Sequence, residues 1–324
     1  MSKKLHPIKF QPIFKEKIWG GNKLETVLEK KTNASSVGES WEISAVEDAI
    51  SIVANGPLKG ESLQSLLKEY TSNLIGNKNY ETFGNKFPLL IKFIDAKEDL
   101  SIQLHPNNEL ALERHNSFGK TEMWYVMQAE KEANLIVGFN QEVTSEKYLK
   151  HLQNKTLPEI LNFDKVKTGD TYFIDVGRVH AIGAGVMLAE IQQTSDITYR
   201  VYDWDRVDAN GKSRDLHNDL AIDAIGFNMK DDFRVSYSKI KNEVNKLVSC
   251  LYFTTNYLPI QNNNIQKFNT FDSFIIYICV EGEATINASG FIETIKKGET
   301  ILIPAAIKLF EIKAKKAELL EVYI

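Results

Sequence analysis

Phe87-Pro-Leu-Leu-Ile-Lys-Phe-Ile-Asp-Ala-Lys-Glu-Asp-Leu-Ser-Ile-Gln-Leu-His-Pro106 opens as an apolar strand and closes on Gln103-Leu104-His105-Pro106. In an extended chain successive side chains alternate between faces. Ser101, Gln103 and His105 therefore share one face, and Ile102 and Leu104 take the other. A carboxamide and an imidazole two residues apart on one face can place two donor atoms on a single metal ion. Pro106 then stops the strand.

Composition limits the possibilities around this stretch. A chain of 324 residues can bury a substantial core and has room for about two domains. The net charge is −4, with acids and bases interspersed and no basic patch, which argues against nucleic acid as a partner. The N-terminal Met1-Ser-Lys-Lys-Leu-His-Pro7 lacks the apolar segment of a signal peptide. The longest apolar runs, such as Phe274-Ile-Ile-Tyr-Ile-Cys-Val280, have strand length and are too short to span a bilayer. Cys250 and Cys279 sit among apolar neighbours, as buried small hydrophobes in a reducing cytoplasmic setting do.

Either side of the opening stretch the chain reads mostly as strands. Gly38-Glu-Ser-Trp-Glu-Ile-Ser44 alternates. Leu63, Leu66, Leu67 and Tyr70 recur at helical spacing, and that helix is expected to run towards Gly76-Asn77. Residues 107–119 read as a loop or short helix with an exposed His115. Lys120 to Met127 is a strand with Lys120, Glu122 and Trp124 on one face. Tyr148, Leu149 and Leu152 mark a second helical insert, which carries His151 on its surface, and Pro158 opens a short turn. Glu190 and Gln192 share a face of the Met187–Gln193 strand. Thr198 to Trp204 continues as strand, and Leu216 to Ile225 reads as a short helix stopped by Gly226. From Phe233 onward only short strands and turns are expected, with Gln261-Asn-Asn-Asn264 as a polar loop.

The chain also resembles itself. Val166-Lys-Thr-Gly-Asp-Thr-Tyr-Phe-Ile-Asp175 has a counterpart in Ile295-Lys-Lys-Gly-Glu-Thr-Ile-Leu-Ile-Pro304, which suggests one β unit used twice. Aligning Gly169 with Gly298 sets His180 opposite Leu309. Aligning Tyr125 with Tyr277 sets Glu122 opposite Phe274. On this reading the second copy has apolar residues where the first has polar ones, and it is expected to hold no metal.

The spacing of Gly169, Asp175, Gly177 and His180 resembles the second motif of the cupin superfamily, with Asp175 where Pro is usual. Gln103-x-His105 and the later Glu122 resemble its first. The resemblance implies a mainly β protein of two cupin-type barrels (double-stranded β-helix, jelly-roll), with small helical inserts in the first. Residues 1–232 are then expected to form a catalytic, metal-binding domain and 233–324 a second, metal-free one. It also implies four metal-facing side chains: Gln103, His105, Glu122 and His180.

Leu100-Ser-Ile-Gln-Leu-His-Pro-Asn107, Gly119-Lys-Thr-Glu-Met-Trp124, Val179-His-Ala181 and Ser195-Asp196 with Thr198-Tyr-Arg-Val201 are similar to the type I phosphomannose isomerases. Trp19-Gly20 and Gly38-Glu-Ser-Trp-Glu42 resemble the same family's N-terminal signature. The likeness runs over most of residues 10–226 and looks like the short bacterial form. It implies a zinc enzyme, one ion per chain, that interconverts mannose 6-phosphate and fructose 6-phosphate through a cis-enediolate. The family's other active-site residues fall on Lys92, Ser101, Lys120, Glu190 and Arg200. Trp19 and Glu42 are expected to line the pocket, and Arg206 stands about where longer forms have another basic residue. This chemistry needs a positioned carboxylate to move a carbon-bound proton, and cations to hold a phosphate. The competing readings are a bicupin metal oxygenase and a non-catalytic sugar-phosphate-binding cupin. Lys120 and Arg200 argue against the first, and the intact Glu190 and ligand set against the second. The remaining histidines, His6, His115, His151 and His217, are not expected to be ligands. The oligomeric state is left open.

Overall fold

Ile13–Gly21, Val37–Ile43, Leu89–Asp95, Val186–Gln193, Glu122–Ala129 and Thr171–Ile174 lie side by side, in that order, as one antiparallel wall of a barrel. The opposite wall runs Tyr199–Tyr202, Ile102–Leu104, His180–Ile182, Asn134–Phe139 and Leu161–Lys165. The structure, a computed structural model, describes residues 3–34, 36–207, 210–227 and 233–324. Between the walls pack Ile94, Trp124, Val126 and Leu188 from one side and Leu135, Val137 and Ile182 from the other.

The first wall is buried on its outer face as well, which explains the unbroken apolar run that opens the Leu89–Asp95 strand. Leu89, Ile91 and Phe93 point outward, with Met123, Tyr125 and Ile191. They meet Phe274, Ile276, Ile278, Leu320 and Val322 of the C-terminal region in one shared core. The Ile8–Leu302 bridge adds a backbone link between the two regions. The expected domain boundary after residue 232 borders 228–232, which lie outside the described residues.

The C-terminal region departs from the expected short strands. Thr254–Phe268 and Leu309–Tyr323 are 15 residues each, and Ile275–Ala288 is 14. Each runs along one wall of the second barrel and bends into the other, so one strand does the work of two. Gln261 to Asn264 is part of the first of them and not a loop; its polarity reflects exposure, since the sheet there is covered on one side only. Gly282 takes φ 73 between two register shifts, and a Cβ there would stand 2.2 Å from the Lys316 carbonyl oxygen.

The inserts are helical. Leu63–Tyr70 is capped by Ser62, whose hydroxyl accepts from the Ser65 N–H, and it buries the four predicted apolar residues. It does not continue to Gly76: Thr71 takes φ 48, and Ser72–Ile75 and Asn77–Phe83 follow as separate helices. The Asp272 carboxylate from the second barrel accepts from the first N–H groups of the last of these, at 2.9 and 3.0 Å. Residues 107–119 contain the helix Asn108–His115, and the second insert contains Ser145–Gln153. The helix expected over Leu216 to Ile225 is only Asn218–Ala221. No helix among the described residues is long and apolar enough to cross a membrane.

The repeat is present in three dimensions, but one residue out of the expected alignment. Gly169 and Gly298, at φ 87 and 83, both lead into a strand. Tyr172 then pairs with Trp124, and Ile301 with Tyr277. Trp124 and Tyr277 both face their own barrel interior, whereas Tyr125 faces outward. The counterpart of Glu122 is therefore Ile275, not Phe274. A one-residue slip exchanges the two faces of a strand. By the same test His180, which pairs with Gln103 and Val137, corresponds to Phe310, which pairs with Lys267 and Ala288. Leu309, the expected counterpart, is 53% exposed.

Candidate active site

His105, Glu122 and His180 meet inside the first barrel, each at most 1% exposed. Their donor atoms all lie within 4.8 Å of one another. Two walls supply them, and local structure aims each imidazole. His105 Nδ1–H donates to the Ile197 carbonyl and His180 Nδ1–H to the Arg178 carbonyl, both at 2.8 Å. Each ring is thereby locked with its Nε2 lone pair turned inward. Glu122 Oε1 is 3.2 Å from His105 Nε2, and Glu122 Oε2 is 4.0 Å from His180 Nε2. The Gln103 carboxamide completes the ring, 3.5 Å from His180 Nε2.

Electrostatics make this arrangement incomplete by itself. Burial, reinforced by the Lys120 ammonium, depresses His105 to about 3, and burial lowers His180 also. Burial would raise Glu122, but the neighbouring Lys120 ammonium holds it well below the carboxylate range. A neutral imidazole lone pair thus faces an ionised carboxylate with no proton between them. His105 Nε2 and both Glu122 oxygens are buried without a hydrogen bond, and among the described residues only the Lys120 ammonium comes near them, on Glu122 Oε1. Buried polar atoms are rarely left so, and a divalent cation among them satisfies all three, so the donor set fits a metal.

Beside this cluster opens a cavity of about 270 Å³. Lys92 and Glu190 stand opposite each other on paired strands in its wall. Lys92 Nζ is 3.1 Å from Glu190 Oε1, and Trp124 Nε1–H donates to Glu190 Oε2 at 2.8 Å. Burial, then the Glu122 charge, raises the Glu190 pKa. Burial opposes the Lys92 charge, but Glu190 and Glu39 outweigh it and raise its pKa. Lys120 Nζ is 3.1 Å from Glu122 Oε1. Arg200 enters from the opposite wall, where its Nε–H donates to Ser101 Oγ at 3.2 Å. Trp19 is buried in the wall.

Two expected pocket residues lie elsewhere. Glu42 faces away from the cavity, where its carboxylate accepts from Lys30 Nζ at 2.8 Å and from Ser40 Oγ. Trp41 and Glu42 are strand neighbours, so alternation forbids both from lining one cavity. The wall carries Glu39 and Trp41 instead. Glu39 accepts from Trp41 Nε1–H at 2.6 Å and pairs with Lys17 at 3.2 Å. Burial opposes its ionisation, yet Lys92 and Lys17 hold it down at about 2. Arg206 is turned to the Asp99 carbonyl and to Asp203 in an adjoining cleft. Arg214, not predicted, lines the cavity and grips Asp203 through both oxygens. Asp196 and Thr198 line it also, within the Ser195–Val201 segment quoted above. His115 is half-buried, not exposed, and hydrogen-bonds the Tyr199 hydroxyl at 2.9 Å.

The second barrel repeats this layout with different chemistry. Glu321 pairs with Tyr277 and Asn256 as Glu190 pairs with Trp124 and Lys92. The Tyr277 hydroxyl donates to Glu321 at 2.6 Å, as the Trp124 indole does to Glu190. Lys267 occupies the Gln103 position, and its Nζ is 2.6 Å from Glu321 Oε2. With Ile275 and Phe310 in place of Glu122 and His180, this interior holds an ammonium–carboxylate pair where the first barrel gathers metal donors.

Fold and site together define a two-barrel cupin with a His–Glu–His metal-type centre in its first barrel. A model of the type I phosphomannose isomerase catalytic domain matches residues 8–153, and one of the mannose-6-phosphate isomerase cupin domain matches 243–324. The chain is 35% identical over 314 residues to mannose-6-phosphate isomerase ManA of Bacillus subtilis, covering 95% of this chain and 96% of that one. It is 33% identical over 306 residues to mannose-6-phosphate isomerase of Streptococcus mutans, covering 94% of each. The crystal structure of mannose 6-phosphate isomerase from Bacillus subtilis superposes with TM-score 0.88 at 34% identity, over 98% of this chain and 99% of that one. The chain belongs to the type I phosphomannose isomerase family.

Proposed function

We propose that this enzyme interconverts mannose 6-phosphate and fructose 6-phosphate, using one zinc ion held by Gln103, His105, Glu122 and His180. The observation that carries the reading is the buried, unpartnered set of His105 Nε2 and Glu122 oxygens beside the Lys92–Glu190 pair. Two imidazoles, a carboxylate and a carboxamide oxygen suit zinc. When bound, the cation supplies a Lewis acid that stabilises negative charge on the substrate oxygens at C1 and C2. Glu190 removes the proton from C2 of the open-chain aldose and returns it to C1, while the hydroxyl proton of O2 passes to O1. Burial and its raised pKa suit it to both halves of that exchange. Lys92 and the Trp124 indole fix the carboxylate so that neither oxygen swings away. Arg200, half-buried and without a carboxylate in salt-bridge range among the described residues, holds anionic oxygens of the substrate, and Lys120 assists. Ser101 orients the Arg200 guanidinium.

In this reading residues 1–232 are the catalytic domain. Residues 233–324 hold no metal; they cover the outer face of the catalytic wall. The enzyme is cytoplasmic, and its partner is a phosphosugar, with no nucleic acid and no membrane. Metal analysis of the purified protein, with a coupled assay for fructose 6-phosphate before and after chelation, tests the proposal. One zinc per chain, activity lost on chelation and recovered on adding zinc are expected. Full turnover by metal-free protein, or no turnover of mannose 6-phosphate by the zinc-loaded enzyme, overturns it.

A further inference from the structure

Arg200 is held in place by a histidine that belongs neither to the metal cluster nor to the cavity wall. The His217 N–H donates to the Arg200 carbonyl at 2.7 Å, and the Arg200 N–H donates to His217 Nδ1 at 3.1 Å. The two bonds form a clamp across 17 residues, with an imidazole nitrogen where a strand partner would offer a carbonyl. Arg200 sits on the edge strand of its wall, paired on its other side with Gln103. The same segment also holds the guanidinium, since Arg200 Nη1–H donates to the Asp215 carbonyl at 2.9 Å. Its neighbour Arg214 anchors the segment on Asp203. His217 thus secures the backbone of Arg200, and Asp215 its head.

The direction of the second bond settles the tautomer. The Arg200 N–H can only donate, so His217 Nδ1 is unprotonated and the ring, when neutral, carries its proton on Nε2. This is the reverse of His105 and His180, whose Nδ1 atoms donate. A proton on His217 Nδ1 would remove the acceptor and set two N–H groups against each other. It would also place a cation beside a guanidinium. The surroundings already disfavour that proton: burial and the Arg200 charge lower the His217 pKa, against Asp215, and His115 adds a smaller push in the same direction. Arg206, Lys212 and Arg214 share the cleft, and Asp219 follows on the short helix that His217 begins.

We infer that His217 is a positioning residue for Arg200, and that its neutral ring is required for Arg200 to present its guanidinium to the substrate anion. The inference rests on the function proposed above. The clamp is present while His217 is neutral and is lost as pH falls through its pKa, which lies below the ordinary 6.5. Its effect therefore belongs to the acid side of the pH profile.

The test uses the zinc-loaded full chain and follows kcat and KM for mannose 6-phosphate from pH 5 to 8. Wild-type turnover in this assay checks the proposed function separately, and its absence would count against that proposal and not against the clamp. His217→Ala should raise KM on the order of tenfold at pH 7.5, the effect of leaving the Arg200 N–H without its half-buried acceptor, with zinc content unchanged. His217→Asn offers an amide oxygen that accepts as Nδ1 does and does not titrate. It should recover most of the loss at pH 7.5 and flatten the acid limb of kcat/KM relative to wild type. Wild-type KM in His217→Ala, or an acid limb in His217→Asn that superposes on the wild type, overturns the inference. Should the alanine variant fail to fold, the pH profile of the asparagine variant decides alone.

Discussion

Lys92 and Glu190 face each other across two paired strands, Nζ to Oε1 at 3.1 Å, both with side chains about 95% buried. A buried ammonium favours the ionised form of the carboxylate beside it. Glu190→Gln should keep fold and metal and lower kcat by roughly two orders of magnitude or more, as loss of a general base does. Lys92→Met removes the charge that holds the Glu190 pKa down, so the active anion should appear only at higher pH. The acid limb of the kcat profile should move upward in pH. Normal turnover by Glu190→Gln with full metal content would place the base elsewhere, and loss of metal would make Glu190 a support for the ligands.

Arg200 contributes charge and no ligand atom. Arg200→Ala should therefore retain zinc, measured by metal analysis, and lose mainly kcat/KM for the phosphorylated sugar. Arg200→Lys should recover little, because a point charge cannot reproduce the fork that meets Ser101 and the Asp215 carbonyl together. Equal losses of metal and of activity in Arg200→Ala would show that its role is structural.

Glu39 links stability to pH. Its folded pKa is about 2 against an ordinary 4.5, because Lys92 and Lys17 outweigh its burial. A depressed carboxylate contributes stability that is present above the unfolded pKa and lost as pH falls through the folded one. Between pH 4.5 and 2 the wild type should lose stability that Glu39→Gln does not lose, read as converging denaturation midpoints. Parallel curves for the two proteins over this range would rule out Glu39 as a source of acid sensitivity.

Lys267 and Glu321 make a buried pair inside the second barrel, with side chains 15% and 2% exposed. Lys267→Met leaves Glu321 without its cation and should cost roughly 3 kcal/mol or more, the scale for breaking a buried pair. Lys267→Met with Glu321→Gln should recover part of that. Zinc content should not change in either variant. A neutral effect of Lys267→Met in chemical denaturation would mean that solvent reaches this pair.

Much of the site was legible because strands alternate and motifs are local. Gln103 and His105 share a face at two-residue spacing, and Glu190 and Lys92 lie in strands whose apolar runs announce them. Glu42 shows the limit. Glu42 is expected in the pocket, yet the wall takes its strand neighbours Glu39 and Trp41, and every residue of the Val37–Ile43 strand is buried. With no exposed face to read, the sequence carries no sign of which face meets the cavity. Gln261–Asn264 is a related case, since its polarity marks an open sheet face and in sequence looks the same as a loop.

The sequence by itself determined a two-copy β architecture and the strand faces that carry Gln103, His105 and Glu122, because these follow from side-chain period, turn glycines and local motifs. Tertiary structure alone decided the register between the copies, which moved the counterpart of Glu122 from Phe274 to Ile275. It alone brought Glu39 and Arg214 to the cavity, put an ammonium at the Gln103 position of the second barrel, and clamped Arg200 with His217. Each of these is a contact between residues distant in sequence, and its geometry depends on how strands pair and bend. Pairing register is set by the packing of whole faces, so no short stretch of chain encodes it.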